Sequence, residues 1–257
     1  MLPRILVICT IFFLVSCNRS ILPTQANRKE AALLVLPGFG YNGNGESAMR
    51  ATVSIFKANG VDLFVADYVD RDGLKASQDR LGEFIDAHAL REYNELYVFA
   101  FIAGAWTLNP YLETHSIQNL RGIIYDRSPY QERAPRLAAE NLSIPTRIVY
   151  GLPVFDLAKA SYPAMTLDGI RVGLLVESRP TSLLRYFANE ANAMGPFDFS
   201  PTAFGQKADD CIYIQMTHDE MYVKFAELVP EIQHFISRKK FSPTADRRPP
   251  VGDLRGD

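Results

Sequence analysis

The sequence predicts an α/β fold: a doubly wound, mostly parallel sheet between two layers of helices, a three-layer sandwich. Three observations carry this. Short, continuous apolar runs recur along the chain, as expected of strands buried on both faces. Between them lie segments whose apolar residues repeat at helical spacing. The connections are long enough for right-handed crossovers, which set successive strands parallel.

Taken in order, residues 32–36, ALLVL, form the first strand, closed by Pro37-Gly38. Residues 47–58 then place Met49, Val53 and Phe56 on one helical face, and Asn59-Gly60 stops the helix. DLFVAD, residues 62–67, is the second strand, and a second helix carries Leu81, Phe84, Ile85 and His88 on one face. ELYVFAF, residues 95–101, is the third strand and runs into a short helix from Ala103 towards Glu113. LRGIIYD (120–126), TRIVYG (146–151), IRVGLLVE (170–177) and CIYIQM (211–216) read as further strands. The last helix gathers Phe225, Leu228, Val229, Ile232, Phe235 and Ile236, with a kink or restart expected at Pro230.

The chain has 257 residues, enough for one α/β domain with a sizeable core. A formal net charge of -2 and the lack of a basic stripe speak against nucleic acid as a partner. The start of the chain reads as an export signal. A basic Arg4 precedes an apolar run from Ile5 to Val15, too short to span a bilayer. The run ends in Leu14-Val15-Ser16-Cys17, which resembles the lipobox of bacterial lipoproteins, where cleavage before the cysteine accompanies lipidation of its thiol. That resemblance implies a signal peptide over 1–16, a lipidated Cys17 and a polar linker to residue 30. It also implies a membrane lipoprotein; Asn18 favours the outer membrane in a Gram-negative source. A plain signal peptide with an incidental cysteine, and an uncleaved anchor, are the alternatives. With Cys9 removed and Cys17 occupied, Cys211 is the remaining thiol, so no disulfide framework is expected. The domain is expected over 31–240, and the Pro- and Gly-bearing stretch 241–257 reads as a disordered tail.

Over residues 31–240 the order of features resembles the α/β-hydrolase superfamily. LVLPGFG resembles the strand and oxyanion loop, with Pro37 in place of a histidine and Gly38 and Gly40 retained. GVDLFVADYVDRDG resembles the following strand and its glycine-bearing loop. LYVFAFIAGAW resembles the nucleophile elbow, Gly-x-Ser-x-Gly, rendered as Ala100-Phe101-Ile102-Ala103-Gly104. YIQMTHDEMY resembles the last strand and histidine loop, which puts His218 at the catalytic position.

These remnants allow two chemistries. Ile102 has no nucleophilic atom, and a β-branched residue at positive φ is an outlier. The elbow is therefore expected either to relax to ordinary dihedrals or to be held by unusual packing. His218 could act as a base oriented by Glu177, Asp168 or Asp156, although the usual acid motif is missing. Thr217 and Glu220 match a capping box, which leaves His218 a bystander or a pocket residue. Ser128, after the GIIYD strand and beside Asp126 and Arg127, is the alternative nucleophile, although Ser-Pro at a strand end is more often turn chemistry. No cluster has metal-ligand spacing, and no cofactor is expected. The reading is a lipid-anchored cell-envelope protein without serine-hydrolase activity, acting as a binding or interaction module. Gly38, Phe39, Gly40, Phe101, Ile102, Ala103 and His218 would line its site. The partners are the membrane through Cys17 and an unidentified small molecule or protein. The alternatives are an ester hydrolase using Ser128 and His218, or an interaction protein whose pocket is filled.

Overall fold

Strands form where both faces of the chain can be buried, and the sheet shows this directly. The structure, a computed structural model, describes residues 20–24, 26, 30–250 and 254. Cys9, Cys17 and the expected signal peptide lie outside these residues. The described strands are β1 (Ala31–Leu36), β2 (Val61–Val65), β3 (Glu95–Ala100), β4 (Leu120–Arg127), β5 (Arg171–Glu177) and β6 (Asp210–Ile214). All pair in parallel, in the order β2-β1-β3-β4-β5-β6.

Alternate residues of the strands feed two separate cores. Leu34, Leu36, Val98 and Ala100 meet helices α2 (Leu74–Ala87) and α3 (Ile102–Thr114) through Leu81, Ile85 and Leu108. Leu33, Val35, Tyr97 and Phe99 face the other way. They meet α1 (Gly43–Ala58), α9 (His218–Val223) and α10 (Phe225–Arg238) through Met49, Phe56, Met221, Phe225 and Ile232. Gly173 lets α10 lie close on the sheet, since a Cβ there would sit 2.8 Å from the Phe235 ring.

Between β4 and β5 the chain leaves the sheet and builds a helical cover: α4 (Ala134–Asn141), α5 (Ser143–Tyr150) and α6 (Pro153–Lys159). After β5 come two short helices, α7 (Ser182–Tyr186) and α8 (Ala188–Ala193). Of residues 146–151, expected as a strand, 146–150 belong to α5 (Ser143–Tyr150). The run is short and apolar, a length at which periodicity does not separate helix from strand. Its apolar pair Ile144 and Ile148 falls at helical spacing and points outward, 73% and 66% exposed. Gly151 closes the helix at φ 74.

Three other expectations need adjusting. The final helical stretch breaks at Lys224, not at Pro230, and α10 runs on through the proline. Residues 241–250, expected within a disordered tail, lie along β6. Phe241 is buried, the Tyr213 amide donates to the Asp246 carbonyl at 2.8 Å, and Arg247 pairs with Asp210 at 3.0 Å. Upstream, the polar linker docks at one point, because Ile21 pairs antiparallel with Val65 and is fully buried. Among the described residues no helix is long and apolar enough to cross a membrane.

Candidate functional site

The carboxyl ends of β1 and β3 diverge. Their chains continue to opposite sides of the sheet, and that divergence opens a crevice where α/β sheets place their ligands. Pro37 to Gly40 leave β1 on one side of it, and Phe101 and Ile102 leave β3 on the other. Ile102 is the first residue of α3. Among the described non-glycine residues only Ala89 and Lys239 have positive φ, so the turn at Ile102 has relaxed to ordinary dihedrals. The small-residue frame survives. A Cβ at Gly104 would sit 2.5 Å from the Leu36 carbonyl oxygen, so α3 approaches β1 as closely as a glycine permits.

His218 starts α9 behind the expected capping box. The Glu220 amide donates to Thr217 Oγ1 at 3.2 Å, and the Thr217 amide donates to Glu220 Oε2 at 2.9 Å. The histidine is nevertheless no bystander. It is only 3% exposed, and its Nδ1 lies 2.6 Å from Glu177 Oε1 and 3.3 Å from Asp126 Oδ2. The orienting acid that seemed missing is therefore Glu177, at the end of β5, with Asp126 of β4 beside it. Asp156 instead accepts from the Leu74 amide at 3.0 Å, and Asp168 lies in an exposed turn.

The other imidazole nitrogen meets a residue that the sequence reading did not single out. His218 Nε2 is 3.1 Å from the Tyr222 hydroxyl, four residues along the same helix. That hydroxyl oxygen also accepts from the Gly38 amide at 2.9 Å, and the ring stacks on Phe101 with centroids 4.4 Å apart. A phenol thus occupies both the histidine nitrogen that would activate a nucleophile and an amide of the oxyanion-type loop. The signal available in the sequence was the four-residue spacing of His218 and Tyr222, which puts both on one helix face.

Ser128 is buried, and its Oγ accepts from the Gln131 amide at 3.3 Å, a turn-stabilising bond. Both ring nitrogens of His218 are engaged elsewhere, so the structure does not bring this serine and histidine into a hydrogen bond.

Asp126, Glu177 and His218 are thus fully or nearly fully buried and in contact. Burial raises the Glu177 pKa well above its ordinary value, and the charge of Asp126 adds to the effect. For His218, burial opposes the charged ring. The Glu177 charge, the hydrogen bond to Glu177 and the Asp126 carboxylate close by outweigh it, so its pKa also lies well above the ordinary value. Both Asp126 oxygens and Glu177 Oε2 lack a hydrogen-bond partner among the described residues. The three side chains offer donor atoms within 4.8 Å of one another, a grouping that linear spacing concealed because each stands at a different strand end. However, two ligands on a tetrahedral zinc stand about 3.3 Å apart. The 2.6 Å separation of Nδ1 and Oε1 is a hydrogen bond, so the cluster fits a shared proton better than a metal ion.

Above Ile102 lies a cavity of about 390 Å³. Ile102, Ala103 and His218 form its floor, and Val154, Leu157 and Phe187 are among its apolar walls. Phe39 and Gly40 also line it, whereas Gly38 and Phe101 sit beneath it as partners of Tyr222.

No protein-family model and no curated protein sequence matches the chain. Solved structures do match. An α/β hydrolase fold protein from Chitinophaga pinensis superposes with a TM-score of 0.52 at 13% identity, over 86% of this chain and 92% of that one. A juvenile hormone epoxide hydrolase from the silkworm Bombyx mori gives 0.52 at 13%, over 86% and 73%. A lipase from Bacillus licheniformis in its mature form gives 0.52 at 12%, over 82% and 97%. The chain has the α/β-hydrolase fold. Within that fold His218 and Glu177 are in contact, Ile102 opens the helix that follows β3, and the Tyr222 hydroxyl closes the histidine off.

Proposed function

We propose that this protein is a lipid-anchored cell-envelope binding module built on the α/β-hydrolase fold, without serine-hydrolase activity. The observation that carries the reading is the Tyr222 hydroxyl, held between His218 Nε2 and the Gly38 amide over a turn that offers only Ile102. Catalysis by this fold's serine chemistry needs a hydroxyl activated by that nitrogen and free amides for the developing oxyanion. Here a phenol takes both. What remains open is an apolar cavity of a size that suits a small ligand, which favours a binding module over an interaction protein with a filled site.

Two features support a site held near a bilayer. Ile21 is docked beside the end of β2, and four residues back to Cys17 reach at most about 14 Å. Ile144, Ile148 and Tyr186 are exposed on α5 and α7, two helices that frame the cavity. Replacing Cys17 with Ala is expected to move the protein from the membrane fraction to the soluble one.

A fluorogenic ester panel tests the catalytic half of the reading on the purified full chain. No turnover above the buffer rate is expected. Turnover lost in both Ser128→Ala and His218→Ala would replace this reading with a rearranged ester hydrolase.

A further inference from the structure

The cavity differs from an ordinary fatty-acid site in its charge. Among the described residues no lysine or arginine lines it. Its charged lining residues are His218, already committed to Glu177 and Asp126, and Asp219. Asp219 is exposed at the lip and has no ion-pair partner among the described residues. Its carboxylate lies near Gly40, where an added Cβ would be 3.6 Å from Oδ1. Beside it are two aromatic rings that also line the cavity. Phe39 and Tyr150 meet edge to face with centroids 5.5 Å apart. The Tyr150 phenol pKa is raised first by burial and then by the Asp219 charge, so the carboxylate and the ring share one corner of the mouth.

From this arrangement we infer that the cavity selects an amphiphile with an apolar body and a cationic head, an alkylammonium, and rejects the corresponding carboxylate. The inference rests on the binding reading above and names its ligand class. An apolar tail has walls such as Ala138, Leu142 and Leu157 to lie against. A quaternary or primary ammonium head at the mouth meets a carboxylate and aromatic faces, the combination that binds such cations. A fatty-acid carboxylate in the same place meets Asp219 and no cation, which leaves a partly desolvated charge unpaired. The amino end of α9 does not compensate. Thr217 accepts the Glu220 amide there, the first turn carries Asp219 and Glu220, and Arg179 is turned to Glu220 at 3.1 Å.

The single tryptophan makes the test direct. Trp106 packs with Ile102, Ala103 and Leu157, all of which line the cavity, so ligand entry alters its fluorescence. The purified full chain is titrated with decyltrimethylammonium, decanol and decanoate. The expected order is the ammonium tightest, the alcohol next and the carboxylate weakest, with roughly tenfold between the two ions. Asp219→Asn is expected to narrow that ratio, and added salt to narrow it in the unaltered protein. A thermal melt checks that the variant is folded, and the salt series reads the same charge without any substitution. Equal binding of all three, or decanoate tightest, overturns the cation preference and leaves the pocket reading standing. No binding by any of the three overturns both.

Discussion

Tyr222 determines what His218 can do. Its hydroxyl is buried, bonded to the imidazole and to the Gly38 amide. Tyr222→Phe leaves both of those groups without a partner and is expected to cost about 1–3 kcal/mol. For a domain of this size that lowers the melting temperature by several degrees, about 2–4 °C per kcal/mol. A variant as stable as the parent would mean that the phenol is not seated as described. The same residue governs any attempt to restore chemistry. Ile102→Ser alone is expected to stay silent towards an activated aryl ester, because the phenol still holds Nε2. Ile102→Ser with Tyr222→Phe is expected to show slow turnover. Activity in the single variant would contradict the occlusion. Tyr222 was not legible as part of a site, and Glu177 was legible only as one of three candidate acids. The first is a common core residue whose role depends on a contact with Gly38, 184 positions away. The second departs from the family motif and is singled out from Asp168 and Asp156 only when β5 and the start of α9 are brought together.

Helices and strands were legible wherever burial imposed one period. Six strands fall where apolar runs place them, and α1, α2, α3 and the helical stretch after His218 follow their apolar faces. The failure is α5, because a six-residue apolar stretch carries no decisive period and the cover it belongs to is assembled by tertiary packing. The tail misled for the opposite reason. Its composition is that of a loop, but single anchors, Phe241 against the core and Arg247 on Asp210, hold its first ten residues. At the element scale a tight approach is that of α3 to β1 at Gly104. Gly104→Ala forces helix and strand apart and is expected to destabilise by about 1–3 kcal/mol, as overpacking of a tight contact does. Chemical denaturation reads this, and an unchanged midpoint would mean the two elements have slack.

At the scale of the molecule, the buried cluster couples folding to pH. Unfolded, Glu177 releases its proton near pH 4.5 and His218 near pH 6.5. Folded, the hydrogen-bonded Glu177–His218 pair as a unit holds protons to higher pH, so the native state binds more protons through that window and beyond. Stability therefore falls as pH rises, progressively until the raised native values are passed. Thermal melts between about pH 5 and pH 9 are expected to show this decline. Glu177→Gln should flatten it, because the variant loses both a titrating group and the charge that raises His218. An identical slope in the two proteins would remove the cluster from the account.

Order along the chain predicted the hydrolase fold correctly, while the state of its site depended on contacts between strand ends that are far apart in sequence. The most direct test of the central claim, that His218 activates no hydroxyl, is the intact mass of the full chain after incubation with a fluorophosphonate. The account predicts an unchanged mass. A single stoichiometric adduct on Ser128, absent in His218→Ala, would contradict it.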